Sequence, residues 1–145
     1  MSARKEINMS WMLILICIVC WSVWSITLKV ATKSISPLMV QVVVAYVQSA
    51  MAPAIFLYMK ARNIPTEWTP KGVTYATVAC ILSSIAGLSF LTALQKAPAH
   101  LVVGLVSIYP ALTLVLSVIF LGELVTVTKI AGIILIVCGT IFLSR

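Results

Sequence analysis

The chain has 145 residues, of which 62% are hydrophobic and only 9% charged, with a formal net charge of +7. A soluble domain averages about 25% charged residues, so the composition excludes an ordinary soluble globular protein. The basic residues sit mostly in short segments between apolar runs, where they set topology and meet anionic lipid, so the charge does not indicate nucleic-acid binding.

Several runs reach the ~20 apolar residues that a membrane span needs. Taken in chain order, the expected helices cover residues 11–31, 38–59, 71–95, 99–121 and 127–143. The first follows Arg4 and Lys5 but runs past signal-peptide length without a small-x-small cleavage site, so it is expected to stay as a membrane helix. Its Cys17-x-x-Cys20 pair has redox or zinc spacing. A lone pair on a membrane helix reads more simply as small apolar packing, as do Cys80 and Cys138. With His100 the one histidine, neither a metal site nor a structural disulfide is expected. Trp21 and Trp24 lie one turn apart near mid-span, away from the interface belt that suits Trp11 and Trp68. They read either as helix–helix packing or as an apolar or cation–π wall for a substrate. Lys29, near the helix end, either snorkels to the interface or holds a positive charge at a cavity mouth.

Ser36-Pro37 opens the second helix with a capping serine and a proline suited to the first helical position. Gln41 and Gln48 share one face of that helix with Ala45 and Ala52, while Tyr46 lies to the side. Amides on one face of a span either line a cavity or bond to another helix. The connection that follows holds Lys60, Arg62, Glu67 and Trp68, a composition suited to the headgroup region. Thr69-Pro70 opens the third helix, whose Ala79, Ser83 and Gly87 have the spacing of a close helix contact.

Ala97-Pro98 opens the fourth helix, and Pro110 near its middle predicts a kink beside Ser107 and Tyr109. That kink is either structural or part of a substrate pathway. Gly122 ends the helix, and Glu123 is expected in the following turn, its carboxylate near the free N–H groups of the fifth helix rather than carrying protons. Thr126 is the expected cap there. Gly132 and Gly139 argue for a close helix contact within the chain or between chains. Arg4, Lys5, Lys60, Arg62, Lys71 and Lys129 fall on the N-terminal side, against Lys29, Lys33, Lys96 and Arg145 on the other. This excess favours a cytoplasmic N-terminus and an external C-terminus.

From residue 97 the chain reads APAHLVVGLVSIYPALTLVLSVIFLGELVTVTKIAGIILIVCG. Ala97-Pro98, Tyr109-Pro110, Leu121-Gly122-Glu123, Gly132 and Gly139, with Trp21, Lys29 and Ser36-Pro37 upstream, resemble one EamA-type repeat of the drug/metabolite transporter superfamily. Ser22 stands where that family usually has glycine, and His100 where a small residue is common. Gln41, Tyr46 and Gln48 stand in a helix that often carries an arginine. The resemblance covers roughly the whole chain and implies an all-α integral membrane protein of five transmembrane helices, in the multi-pass plasma or inner membrane of the cell. It implies a transporter subunit for a small organic metabolite or drug-like solute, working by alternating access. The solute is expected against Trp21, Trp24, Gln41, Gln48, Ser107 and Tyr109, with Pro110, Gly122, Glu123, Gly132 and Gly139 in structural roles. Most family members carry two such repeats in inverted orientation, so the expected partners are the bilayer, the solute, and a second copy (antiparallel geometry included) or a paired homologue. A lipid-linked flippase subunit and a non-transporting structural subunit are the alternatives. No cofactor is expected. An enzyme is not expected either, because no acid lies in any span and His100 has no readable Ser or Asp partner. The first helix also lacks the membrane glutamate used for proton coupling in small multidrug exporters of the superfamily, which favours facilitated diffusion or exchange.

Overall fold

The capping residues read from the sequence start the helices they precede. Ser36 Oγ accepts a hydrogen bond from Met39 N at 3.3 Å, Thr69 Oγ1 from Gly72 N at 3.3 Å, and Thr126 Oγ1 from Lys129 N at 3.4 Å. The structure, a computed structural model, describes the backbone of residues 2–144 and the side chains of residues 11–144. The side chains of Arg4 and Lys5, and Arg145, which enter the charge count, lie outside the described residues.

The described chain is all α-helical: α1 (Ser2–Ser34), α2 (Pro37–Ala61), α3 (Pro70–Lys96), α4 (Ala99–Val106), α5 (Tyr109–Leu121) and α6 (Val127–Leu143). Four stretches are long and apolar enough to cross a membrane: Trp11–Ser34, Pro37–Ala61, Pro70–Lys96 and the α4–α5 pair, Ala99–Leu121. At 1.5 Å per residue the 24 residues of the first reach about 36 Å, beyond the ~30 Å hydrocarbon core. The 17 residues of α6 reach about 25 Å, at the short end for a span. Large apolar side chains are exposed along every helix, Trp21, Phe120 and Leu135 among them. That surface suits a hydrocarbon solvent, and the helical backbone satisfies its own hydrogen bonds there.

The fold divides into two units, residues 1–96 and residues 97–145. In the first, α3 packs against both α1 and α2. Its buried residues are Ser25, Leu28 and Thr32 of α1, Val40 of α2, and Leu91 and Leu94 of α3. Three- and four-residue spacing puts the α1 set on one stripe. All six lie where α1 ends, α2 begins and α3 ends, so the core sits at one end of the unit. The polar members are bonded to their own helix: Ser25 Oγ donates to Trp21 O at 3.0 Å and Thr32 Oγ1 to Lys29 O at 3.0 Å. α2 also carries Pro53 in its interior, which denies the Ser49 carbonyl its usual donor.

In the second unit α4 packs on α6, with Val102 and Thr140 buried. The expected kinked fourth helix is instead two helices. The interruption falls at Ser107–Ile108, one turn before Pro110, which enters the first turn of α5. The proline has no N–H for the Val106 carbonyl and its ring crowds the preceding turn, so the break appears upstream of the residue that causes it. The junction tightens to i→i−3 bonds, Ile108 N to Leu105 O at 3.3 Å and Ala111 N to Ile108 O at 3.0 Å. Ser107 and Ile108 keep right-handed dihedrals, so the chain is not reversed there.

At the end of α5, Gly122 adopts φ 65°, ψ 26°, a left-handed conformation that costs a side-chain-bearing residue more than glycine. The N–H groups of Gly122 and Glu123 turn back onto Val118 O at 3.2 Å and Ser117 O at 3.3 Å. The capping role expected of the Glu123 carboxylate belongs to Thr126. Glu123 is exposed, and its carboxylate makes no hydrogen bond or ion pair among the described residues. Gly122→Ala is therefore expected to cost ~1 kcal/mol. Glu123→Gln should stay within about 0.5 kcal/mol. Thermal unfolding of the purified protein in detergent distinguishes the two, and a larger loss for Glu123→Gln would restore the carboxylate as the cap.

Candidate functional site

The candidate site is organised by one stripe of α3. Phe90, Leu91 and Leu94 follow Gly87 by three, four and seven residues and so share its face. Gly87 lies against α2: a Cβ added there would come within 3.1 Å of Gln41 Oε1. The missing side chain is what lets the Gln41 carboxamide approach the α3 backbone. One turn on, Phe90 stacks with Trp24 of α1, their ring centroids 5.8 Å apart and their planes 5° from parallel. Leu91 and Leu94 are sealed in the core. Beyond them, the Lys29 ammonium donates to the Leu94 carbonyl. The residue four after Leu94 is Pro98, which has no N–H, so this carbonyl lacks its ordinary helical donor. Of the two readings for Lys29, the geometry places its charge on the C-terminal end of α3, where the helix dipole favours a cation.

Gln41 is half-buried, and its amide makes no hydrogen bond among the described residues. At membrane depth an unpaired amide is costly, so the group calls for a partner: water, a ligand or another helix. Trp24 is 44% exposed, so the stack leaves part of the indole open beside that amide-bearing face. The structure thus brings Gln41 and Trp24 onto neighbouring turns of α3.

The remaining candidates are placed differently. Trp21 is 62% exposed, and Gln48 is also exposed. In the second unit Ser107 is exposed and its Oγ donates to Val103 O at 2.8 Å, within its own helix. Tyr109 is exposed beside the α4–α5 break, and its carbonyl accepts from Thr113 Oγ1 at 3.1 Å. An added Cβ at Gly132 or Gly139 would meet nothing within 4 Å. The close glycine approach in this unit is at Gly104, where a Cβ would fall on the Leu143 side chain. Ala79 and Ser83 are exposed, so of that four-residue series only Gly87 has its neighbour on α2.

Sequence reasoning did not single out Phe90, Leu94 or Gly104. Phe90 was within reach of it, since it follows Gly87 on the same helical face. The signal for Leu94 was Pro98, whose missing N–H marks a carbonyl in need of a donor. Gly104 stood out as the lone glycine in the bulky apolar run of α4.

Membrane-length apolar helices, a polar amide near the start of α2 held against a glycine of α3, and a proline-broken span together define a polytopic membrane protein. The EamA-like transporter family matches residues 8–145. The chain belongs to that family. An uncharacterized protein of Methanocaldococcus jannaschii is 40% identical over 90 residues, which cover 62% of this chain and 65% of that relative. The match therefore spans just under two thirds of the relative's length. No solved structure matches the chain.

Proposed function

We propose that the chain moves a small organic solute across the cell membrane by alternating access, with the solute held on the α1–α3 unit between the Gln41 amide and the Trp24 ring. The observation that carries this reading is the half-buried Gln41 carboxamide, set against Gly87 with no hydrogen-bond partner among the described residues. The amide offers both donors and an acceptor, and the indole offers a flat apolar or cation-attracting face. Trp21 and Gln48 are further solute contacts proposed on the exposed faces of the α1–α3 unit, and Ser107 and Tyr109 are proposed separately on the exposed faces of residues 97–145. The chain works beside a second one of the same kind, in a homodimer or with a paired homologous subunit. Two such chains in opposite orientation make the symmetric frame that alternating access uses. Gly132 and Gly139 leave room for a close helix approach from that second chain.

The test is uptake into liposomes holding the purified protein, across a panel of metabolites. Gln41→Leu is expected to lower the transported solute's flux about tenfold, the worth of one hydrogen bond in a desolvated site, while leaving folded yield unchanged. Unchanged flux in that variant would remove Gln41 from the site. Gly87→Val, which pushes the amide aside, is expected to act in the same direction.

A further inference from the structure

We infer that the α2–α3 hairpin holds a single aminophospholipid of the bilayer, with its phosphate on Lys60 and its primary ammonium on Glu67. Among the described residues of the α1–α3 unit, the buried ones gather at one end and none lies at the opposite end, where α2 finishes and α3 starts. There a groove runs between the two helices, lined by Phe56, Met59, Val73 and Ala76 under a roof of Pro65 and Trp68. It continues into a second depression that shares Phe56, Pro65 and Thr66 and is bounded by Lys60 and Asn63. An apolar trough on the membrane side, leading to polar groups at the interface, has the shape of an amphiphile's path.

The loop that roofs the groove is held by its backbone. Arg62 N, Asn63 N and Ile64 N donate to Tyr58 O, Lys60 O and Met59 O at 3.0, 3.2 and 3.0 Å. Asn63 takes φ 52°, a left-handed turn that asparagine tolerates, and this bends the chain back over the groove. These bonds satisfy the Tyr58, Met59 and Lys60 carbonyls near the end of α2, so the Lys60 ammonium is not needed to cap them. Arg62 is otherwise engaged, its guanidinium 5.8 Å from the centre of the Tyr58 ring. Lys71 lies outside both linings. Lys60 is therefore the cation of the groove and Glu67 its acid, and neither side chain makes an ion pair or hydrogen bond among the described residues. The two charges complement a zwitterionic head whose phosphate accepts and whose ammonium donates. Glu67 repels a purely anionic head, and a quaternary ammonium has no N–H to give it.

The test is native mass spectrometry of the full chain in detergent, with dioleoyl phosphatidylethanolamine, phosphatidylcholine and phosphatidylglycerol at equal concentration. One phosphatidylethanolamine is expected to be retained about fivefold over phosphatidylcholine, the size of one interfacial ion pair. Lys60→Gln is expected to lower retention of all three lipids, and Glu67→Gln to abolish only the preference for the primary amine. On the unsubstituted protein, mono- and dimethylated phosphatidylethanolamine should fall stepwise between the two extremes. Equal retention of all lipids would overturn the site. Preferred phosphatidylglycerol, or an amine preference untouched by Glu67→Gln, would overturn the assignment of the ammonium to Glu67.

Discussion

Lys29→Met is expected to lower the stability of the α1–α3 unit by about 2–3 kcal/mol, the cost of losing a charge-assisted hydrogen bond and stranding a carbonyl. Leu94 is fully buried, and its carbonyl cannot be served by the helix because the donor position four residues on is Pro98. The Lys29 ammonium fills that place and brings a cation to the C-terminal dipole of α3. Methionine keeps much of the stem's packing and removes the donor, so the loss reports the hydrogen bond rather than a cavity. Lys29→Arg, which keeps the charge and the N–H groups, should lose less. Denaturant or thermal unfolding in detergent measures both. If methionine and arginine prove equally harmless, the ammonium is serving the interface and not the helix end.

Gly104→Leu is expected to destabilise the α4–α6 pair by about 2–3 kcal/mol through overpacking. An added Cβ at this position falls on the end of the Leu143 side chain. Leu143 is 48% exposed and has room to swing, so Gly104→Ala is expected to cost less, about 1 kcal/mol. Leu143→Ala in the same chain should restore most of the loss in Gly104→Leu, a coupling that a double-mutant cycle isolates. The contrast is Gly139→Ala, which meets nothing within 4 Å and should be neutral or slightly stabilising in the isolated chain, because alanine favours the helix. If Gly139→Leu instead weakens the association of two copies, as read by crosslinking in native membranes, Gly139 faces the second copy.

Much of the fold was legible in the sequence because hydrocarbon solvent leaves few alternatives. Backbone groups must be satisfied within each span, so long apolar runs become helices. Proline and a small hydroxylated residue mark where α2 and α3 begin, at Ser36-Pro37 and Thr69-Pro70. α1 runs to Ser34 rather than Ala31, and α2 to Ala61 rather than Met59. Where neither a cap nor a proline stands at a boundary, only hydropathy decides, and it fades gradually. The fourth span was expected as one kinked helix and is two, because a proline's effect falls on the turn before it and the local bonding there tightened into a break.

The candidate site was legible as a set of residue types and not as an arrangement. Gln41 and Trp24 were suggested by polarity and depth alone, and α3 supplies their neighbours, Gly87 and Phe90. Gln48 and Trp21 had equal claims by residue type, yet both lie on exposed faces. Helical periodicity tells which residues share a face but not which face meets another helix. In a span apolar all round, no solvent contrast marks the inner side. Composition and local chemistry by themselves determined the class, the helices and their starts, since these follow from the energetics of a chain segment in lipid. Which amide meets a glycine, which lysine answers a proline-stranded carbonyl and which glycine admits a leucine were decided only by helix packing, which joins residues as far apart as Lys29 and Leu94.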